Sequence, residues 1–138
     1  MSTRCNIIIK DSYTSLTFYR HSDGYPSGVA PTLCEFLDLV KRGCIRDNTS
    51  QAAGWLIVLG HEEYGAGDHG NDLTKMRAAK DSFSTWKVGA YEPTSGIHGD
   101  IEYLYEIDLS AKTLRGWRHR GGEKGAEVTA ELMCATAE

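Results

Sequence analysis

Apolar residues alternate or cluster with different periods along the chain, and those periods predict its elements. Cys5 to Lys10 (CNIIIK) is short, apolar and β-branched, which reads as a buried strand. Asp11 to Thr14 reads as a turn. Ser15 to His21 (SLTFYRH) is rich in aromatic and β-branched residues and reads as a second strand, giving an N-terminal hairpin. Ser22 to Pro31 then holds Gly24, Pro26, Gly28 and Pro31, a density that predicts a break through which neither helix nor strand runs. Leu33, Phe36, Leu37 and Val40 fall at i, i+3, i+4 and i+7, the apolar stripe of a helix. Pro31 suits its first position, Thr32 and Glu35 have capping-box form, and Gly43 supplies the stop.

Four candidate caps, Asp47 to Ser50, precede Ala52, Trp55, Leu56 and Leu59 at helical spacing. "GWLIVLG" fits a buried strand as well, but the caps and the two alanines favour helix over residues 54–60. Glu62 to Asn71 reads as a glycine-rich loop, and Leu73 to Lys80 as a short helix. Trp86 to Tyr91, Asp100 to Leu109 and Thr113 to Arg118 read as a meander. Its middle strand is apolar at Ile101, Tyr103, Tyr105, Ile107 and Leu109, and acidic at Glu102, Glu106 and Asp108. Residues 121–138 are weakly patterned and are expected to form a tail. The sum predicts one α+β domain over 1–120: an antiparallel sheet of about five strands with two helices packed on one face.

Composition narrows the function classes. The chain has 138 residues, 41% apolar and 25% charged, which fits a single globular core. No apolar run is long enough to span a membrane, and the N-terminus lacks the layout of an export signal. Cytoplasmic placement in a bacterial host is expected. Cys5, Cys34, Cys44 and Cys134 show no C-x-x-C spacing and read as reduced thiols, Cys34 and Cys44 as small packing groups. A net charge of −4 argues against general nucleic-acid binding, but a local basic patch can still hold a small anion.

Candidate chemistry lies in three places. His21-Ser22-Asp23 is echoed by His98-Gly99-Asp100; converging, they would suit a metal or acid–base chemistry on a phosphate. The plain alternative is that Asp23 caps a turn and Asp100 starts a strand. His61, Glu62, Glu63 and His69 lack the spacing that puts two histidines on one helix face. In Lys112 to Arg120 (KTLRGWRHR), Arg115, Trp117 and His119 project to one side of a strand, an arrangement that can grip phosphate and stack a base, or simply blunt a sheet edge with charge. Tyr25 and Tyr91 lie beside loops and add ligand candidates. There is no phosphate-binding loop of the G-x-x-x-x-G-K-[ST] type, no dinucleotide fingerprint and no G-x-S-x-G.

"STRCNIIIKD", "YRHSDGYPSGV", "SQAAGWLIVLG" and "HGDIEYLYEIDL" together resemble a group of small uncharacterised proteins encoded by bacteriophages, prophages and bacteria. These carry an H-x-D-G-Y-P motif, often with tryptophan at x; Ser22 stands there in this chain and removes one stacking surface. The resemblance covers roughly residues 2 to 118. It implies a compact α+β domain and an accessory gene, and assigns no chemistry. Small phage accessory proteins often counter host defence, in some cases by sequestering nucleotide signals. That analogy, with the residues above, gives the leading expectation. It is a non-enzymatic sponge for a small anionic ligand, a nucleotide or cyclic nucleotide, bound by His21, Asp23, Tyr25, Tyr91, His98, Arg115 and Trp117. No cofactor or metal is expected, and a homo-oligomer would help enclose the ligand. Two alternatives stay open. One is a protein-binding inhibitor using the acidic residues Glu62, Glu63, Glu102, Glu106 and Asp108. The other is a metal-dependent phosphodiesterase using the paired H-x-D triplets.

Overall fold

A computed structural model of the chain describes residues 2–64, 73–80 and 88–128. The fold is α+β. Its strands are β1 (Cys5–Lys10), β2 (Ser15–Arg20), β3 (Glu92–Thr94), β4 (Tyr103–Asp108), β5 (Thr113–Arg120) and β6 (Glu123–Glu127). Its helices are α1 (Pro26–Lys41), α2 (Thr49–Tyr64) and the short α3 (Leu73–Ala78). The six strands form one sheet in the order β3-β2-β1-β4-β5-β6.

Two features of this sheet differ from the expectation. First, it is mixed: β1 and β4 pair in parallel, with Cys5 opposite Tyr103 and Lys10 opposite Asp108. The cause is topological. β3 pairs antiparallel with β2 at one edge, and therefore runs in the direction of β1. Residues 95–102 then carry the chain back across the sheet to start β4 on the far side of β1. Secondly, part of the expected tail is β6, which pairs with β5 across a bulge between Trp117 and His119. Its five residues are all exposed and mostly charged or small, so periodicity had no apolar face to report. Val128, just beyond, is buried.

One face of the sheet carries the core. Cys5, Ile7 and Ile9 of β1, Phe18 of β2 and Tyr105 and Ile107 of β4 pack against Val29, Leu33, Phe36 and Val40 of α1 and Ala52 and Leu56 of α2. The helical stripe read from the sequence is therefore correct for α1. On α2, Trp55 and Val58 are each half exposed, so the sequence stripe overestimated that helix's buried face. Residues 54–60 are helical, as the caps predicted.

α1 begins at Pro26, five residues earlier than expected, and Pro31 lies inside it. Pro26 suits the first helical position. Pro31 forfeits one hydrogen bond in the second turn, but it is exposed, so water can serve the orphaned carbonyl. Thr32 does not cap; its hydroxyl donates to Glu63 Oε1 at 2.6 Å. Gly43, at φ +78°, ends the helix as expected, its amide reaching the Val40 carbonyl at 3.0 Å. Cys44 is exposed rather than packed, while its neighbour Ile45 turns into the core. Val88 to Ala90 form a bend and Tyr91 is not in a strand, so the end of the expected strand is absent; Trp86 and Lys87 lie outside the described residues.

Asp11 locks the hairpin to α2. Its carboxylate accepts the amides of Tyr13 (2.7 Å), Thr14 (3.0 Å) and Thr49 (3.1 Å), and the Thr49 hydroxyl (2.8 Å). These donors, the Tyr13 amide foremost, hold the Asp11 carboxyl down at about 2. Because the folded value lies below the unfolded value of about 4, this stabilisation is present above that value. It is lost as pH falls through about 2. The urea midpoint of wild type should therefore exceed that of Asp11→Asn at neutral pH, and the gap should close on acidification through this window. A gap independent of pH would contradict the assignment.

Candidate functional site

The sheet face opposite the helices is only partly covered. β-strand alternation places Asn6, Ile8 and Lys10 of β1, Tyr19 of β2, Leu104 and Glu106 of β4, and Arg115, Trp117 and His119 of β5 on this side. The crossing segment 95–102 lies over it. Its position is fixed by hydrogen bonds at both ends of the crossing. The His98 amide donates to Asn6 Oδ1 at 2.8 Å, and buried Asn6 in turn donates to the Phe18 carbonyl at 2.9 Å. The Glu102 amide meets the Arg4 carbonyl at 2.9 Å, and the His119 amide meets the Glu102 carbonyl at 2.8 Å. Ile101 is buried against Leu104 and Trp117.

The crossing segment divides the face into two lobes that share His98 and Gly99. One, of about 550 Å³, is lined by Tyr19, Glu92, His98, Gly99 and Asp100. The other, of about 430 Å³, is lined by Ile8, Ile97, Leu104, Glu106, His119, Gly122 and Lys124 as well as His98 and Gly99.

The two H-x-D triplets meet only through their histidines. The His98 ring lies edge-on to Tyr19, 4.4 Å between centroids, and its Nε2 is 3.1 Å from the Thr94 hydroxyl. The Tyr19 hydroxyl shares a 2.9 Å hydrogen bond with His21 Nδ1. Burial pushes the Tyr19 hydroxyl up, with Arg4 opposing and Asp100 and Glu92 adding to the shift, so it stays protonated. The aspartates diverge. Asp100 faces Arg4 at 3.7 Å, whereas Asp23 accepts a hydrogen bond from the Tyr25 hydroxyl at 3.2 Å. Among the described residues no three His, Cys, Asp or Glu side chains gather as metal ligands. His98-Gly99-Asp100 sits on the crossing segment, with Ile101 and Glu102 between it and β4, not at the strand end expected.

The other expected contacts fall in different places. Tyr91 is fully buried on the helix side, its hydroxyl accepting from Arg20 at 3.1 Å, and cannot touch a ligand on the open face. Asp23 and Tyr25 bond to each other at the start of α1 and line neither lobe. Arg115 does project on the same side as Trp117 and His119, but Glu127 of β6 takes both ends of its guanidinium, at 2.9 and 2.8 Å. Trp117 is only 7% exposed, with Arg115 at 4.9 Å and Lys124 at 4.0 Å from its ring centroid. It is a buried platform for two cations and has no face left for a base. The acidic residues are also split: Glu63 pairs with Arg20 on the helix side, Glu106 with Lys10 on the open face, and Asp108 caps the β4–β5 turn. They do not form one patch.

Sequence reasoning missed Tyr19, Arg4, Glu92, Lys124 and the role of His119. The last was legible in part, since alternation placed it beside Arg115 and Trp117. His119 is 6% exposed, and among the described residues its Nδ1 has no hydrogen-bond partner. No family model, curated protein or solved structure matches the chain.

Proposed function

We propose that the protein binds, without turnover, a small anionic ligand of the nucleotide class in the two-lobed groove around His98. The observation that carries this reading is the His119 side chain: it lines the groove, yet among the described residues its buried Nδ1 has no partner. An unsatisfied buried polar atom costs about 1–3 kcal/mol, a cost that is removed when the ring turns its Nδ1 into the groove and a ligand supplies the partner. The groove adds aromatic edges at Tyr19 and His98, apolar walls at Ile8 and Leu104, and a cation at Lys124. This combination suits a flat heterocycle joined to a phosphate. Retention without chemistry is the sponge role expected by analogy with small phage accessory proteins that sequester nucleotide signals.

The test is thermal unfolding against mono-, di- and cyclic nucleotides, followed by heat release and chromatography of any ligand that binds. A ligand at one hundred times its Kd should stabilise the fold by about 2.7 kcal/mol and be recovered unchanged. Recovery as a hydrolysed product would replace binding by catalysis. The absence of any shift across the series would overturn the reading.

A further inference from the structure

We infer that the groove is electrically polarised and receives a ribonucleoside phosphate in one direction, phosphate toward His119 and Lys124, ribose diol toward Asp100 and Glu92. This rests on the nucleotide reading above and adds the ligand's class and orientation.

The two lobes differ in charge. Around the first, Glu92 and Asp100 are opposed by Arg4, 3.7 Å from Asp100. One carboxylate is left in excess, which repels phosphate and accepts hydroxyl donors. Around the second, the Glu106 carboxylate is matched by Lys10 at 3.2 Å, leaving Lys124 in excess. Lys124 is anchored over the Trp117 ring, so its ammonium is held at the groove rather than sweeping through solvent.

His119 sits in this same lobe. Its main chain is tied to Glu102, which fixes the stretch of β5 from which the ring lines the lobe. Ile8, Ile97 and Leu104 make the adjoining walls apolar, which strengthens any charge-assisted bond formed there. An anion oxygen therefore gains most at His119 and Lys124. A vicinal diol gains most at the opposite end, where carboxylates accept two hydroxyl protons. His98 and Gly99, common to both lobes, lie under the middle of such a ligand.

Calorimetric titration of the full chain with AMP, GMP, their 2′-deoxy forms, adenosine and inorganic phosphate reads both the class and the direction. Lys124→Gln and His119→Phe should each weaken the bound monophosphate about tenfold or more and leave adenosine nearly unchanged. Phenylalanine fills the histidine's space without the unpartnered nitrogen, so His119→Phe should melt no lower than wild type while losing affinity. Asp100→Asn should abolish the preference for the ribo over the 2′-deoxy form. Lys124→Gln changes an exposed side chain and keeps the test valid even if the histidine variant folds poorly. Monophosphate binding that none of these substitutions alters would overturn the orientation and leave the nucleotide reading standing. So would sugar discrimination that follows Lys124 rather than Asp100. If no nucleotide binds at all, both fail.

Discussion

Glu63→Leu is expected to destabilise the fold by about 3 kcal/mol, the scale of stranding a buried charge. Arg20 is 3% exposed, in the layer between sheet and helices. Its guanidinium meets Glu63 Oε2 at 2.5 Å, the Tyr91 hydroxyl at 3.1 Å and the Ser22 carbonyl at 2.6 Å. Removing Glu63 leaves that cation with neutral partners only, and also removes the acceptor of the Thr32 hydroxyl. Removing both charges together, as Arg20→Met with Glu63→Leu, should recover much of the loss, because apolar replacements of a buried pair are often neutral. Urea unfolding of the two single variants and the double variant gives the coupling directly. Additive losses would mean that water reaches the guanidinium and that the pair is not the anchor of α2. The groove lies on the other face, so its lining residues are untouched by either substitution.

Gly28→Ala should have the second largest effect. A Cβ there would stand 2.1 Å from the Asp23 carbonyl oxygen, well inside contact distance. Alanine would otherwise gain about 1 kcal/mol of helix propensity at this position. Overpacking of this severity costs about 3 kcal/mol or more, so the clash wins. Gly99→Ala is the matched control: nothing lies within 4 Å of its added methyl, although it borders both lobes. Chemical denaturation should separate them, with Gly28→Ala strongly destabilised and Gly99→Ala near wild type. A more stable Gly28→Ala would mean that the corner is looser than its geometry.

Gly28 closes the stretch His21 to Gly28, "HSDGYPSG". Asp23 takes the left-handed conformation, φ 57°, and Gly24 passes so close to β1 that a Cβ would lie 2.9 Å from Cys5 Cβ and from the Thr3 carbonyl oxygen. The Tyr105 hydroxyl donates to the Gly24 carbonyl at 2.7 Å. The stretch is a packed corner that turns β2 into α1. Of its residues only His21 reaches toward the groove, through Tyr19. Burial also pushes the neighbouring Cys5 thiol up to about 12, so it remains an inert packing group.

The sequence by itself determined the elements whose residues carry a period. The hairpin of β1 and β2 was legible because β-branched residues flank a turn closed by Asp11. The buried stripe of α1 was legible because Leu33, Phe36, Leu37 and Val40 recur at helical spacing, and Gly43 marked its end. Alternation along β5 placed Arg115, Trp117 and His119 on one side; the pairing register confirms it for the first two, and His119 lines the same groove. What only the tertiary structure decided was which of these side chains remain available. Burial and pairing depend on partners distant in the chain. Glu127, from a strand with no apolar pattern, occupies Arg115, and Arg20 claims Tyr91 across 71 residues. Segment 95–102 brings His98 over Tyr19 only because β3 and β4 lie on opposite sides of the hairpin. Periodicity reports the face on which a residue lies; the long-range pairing of strands decides what covers that face.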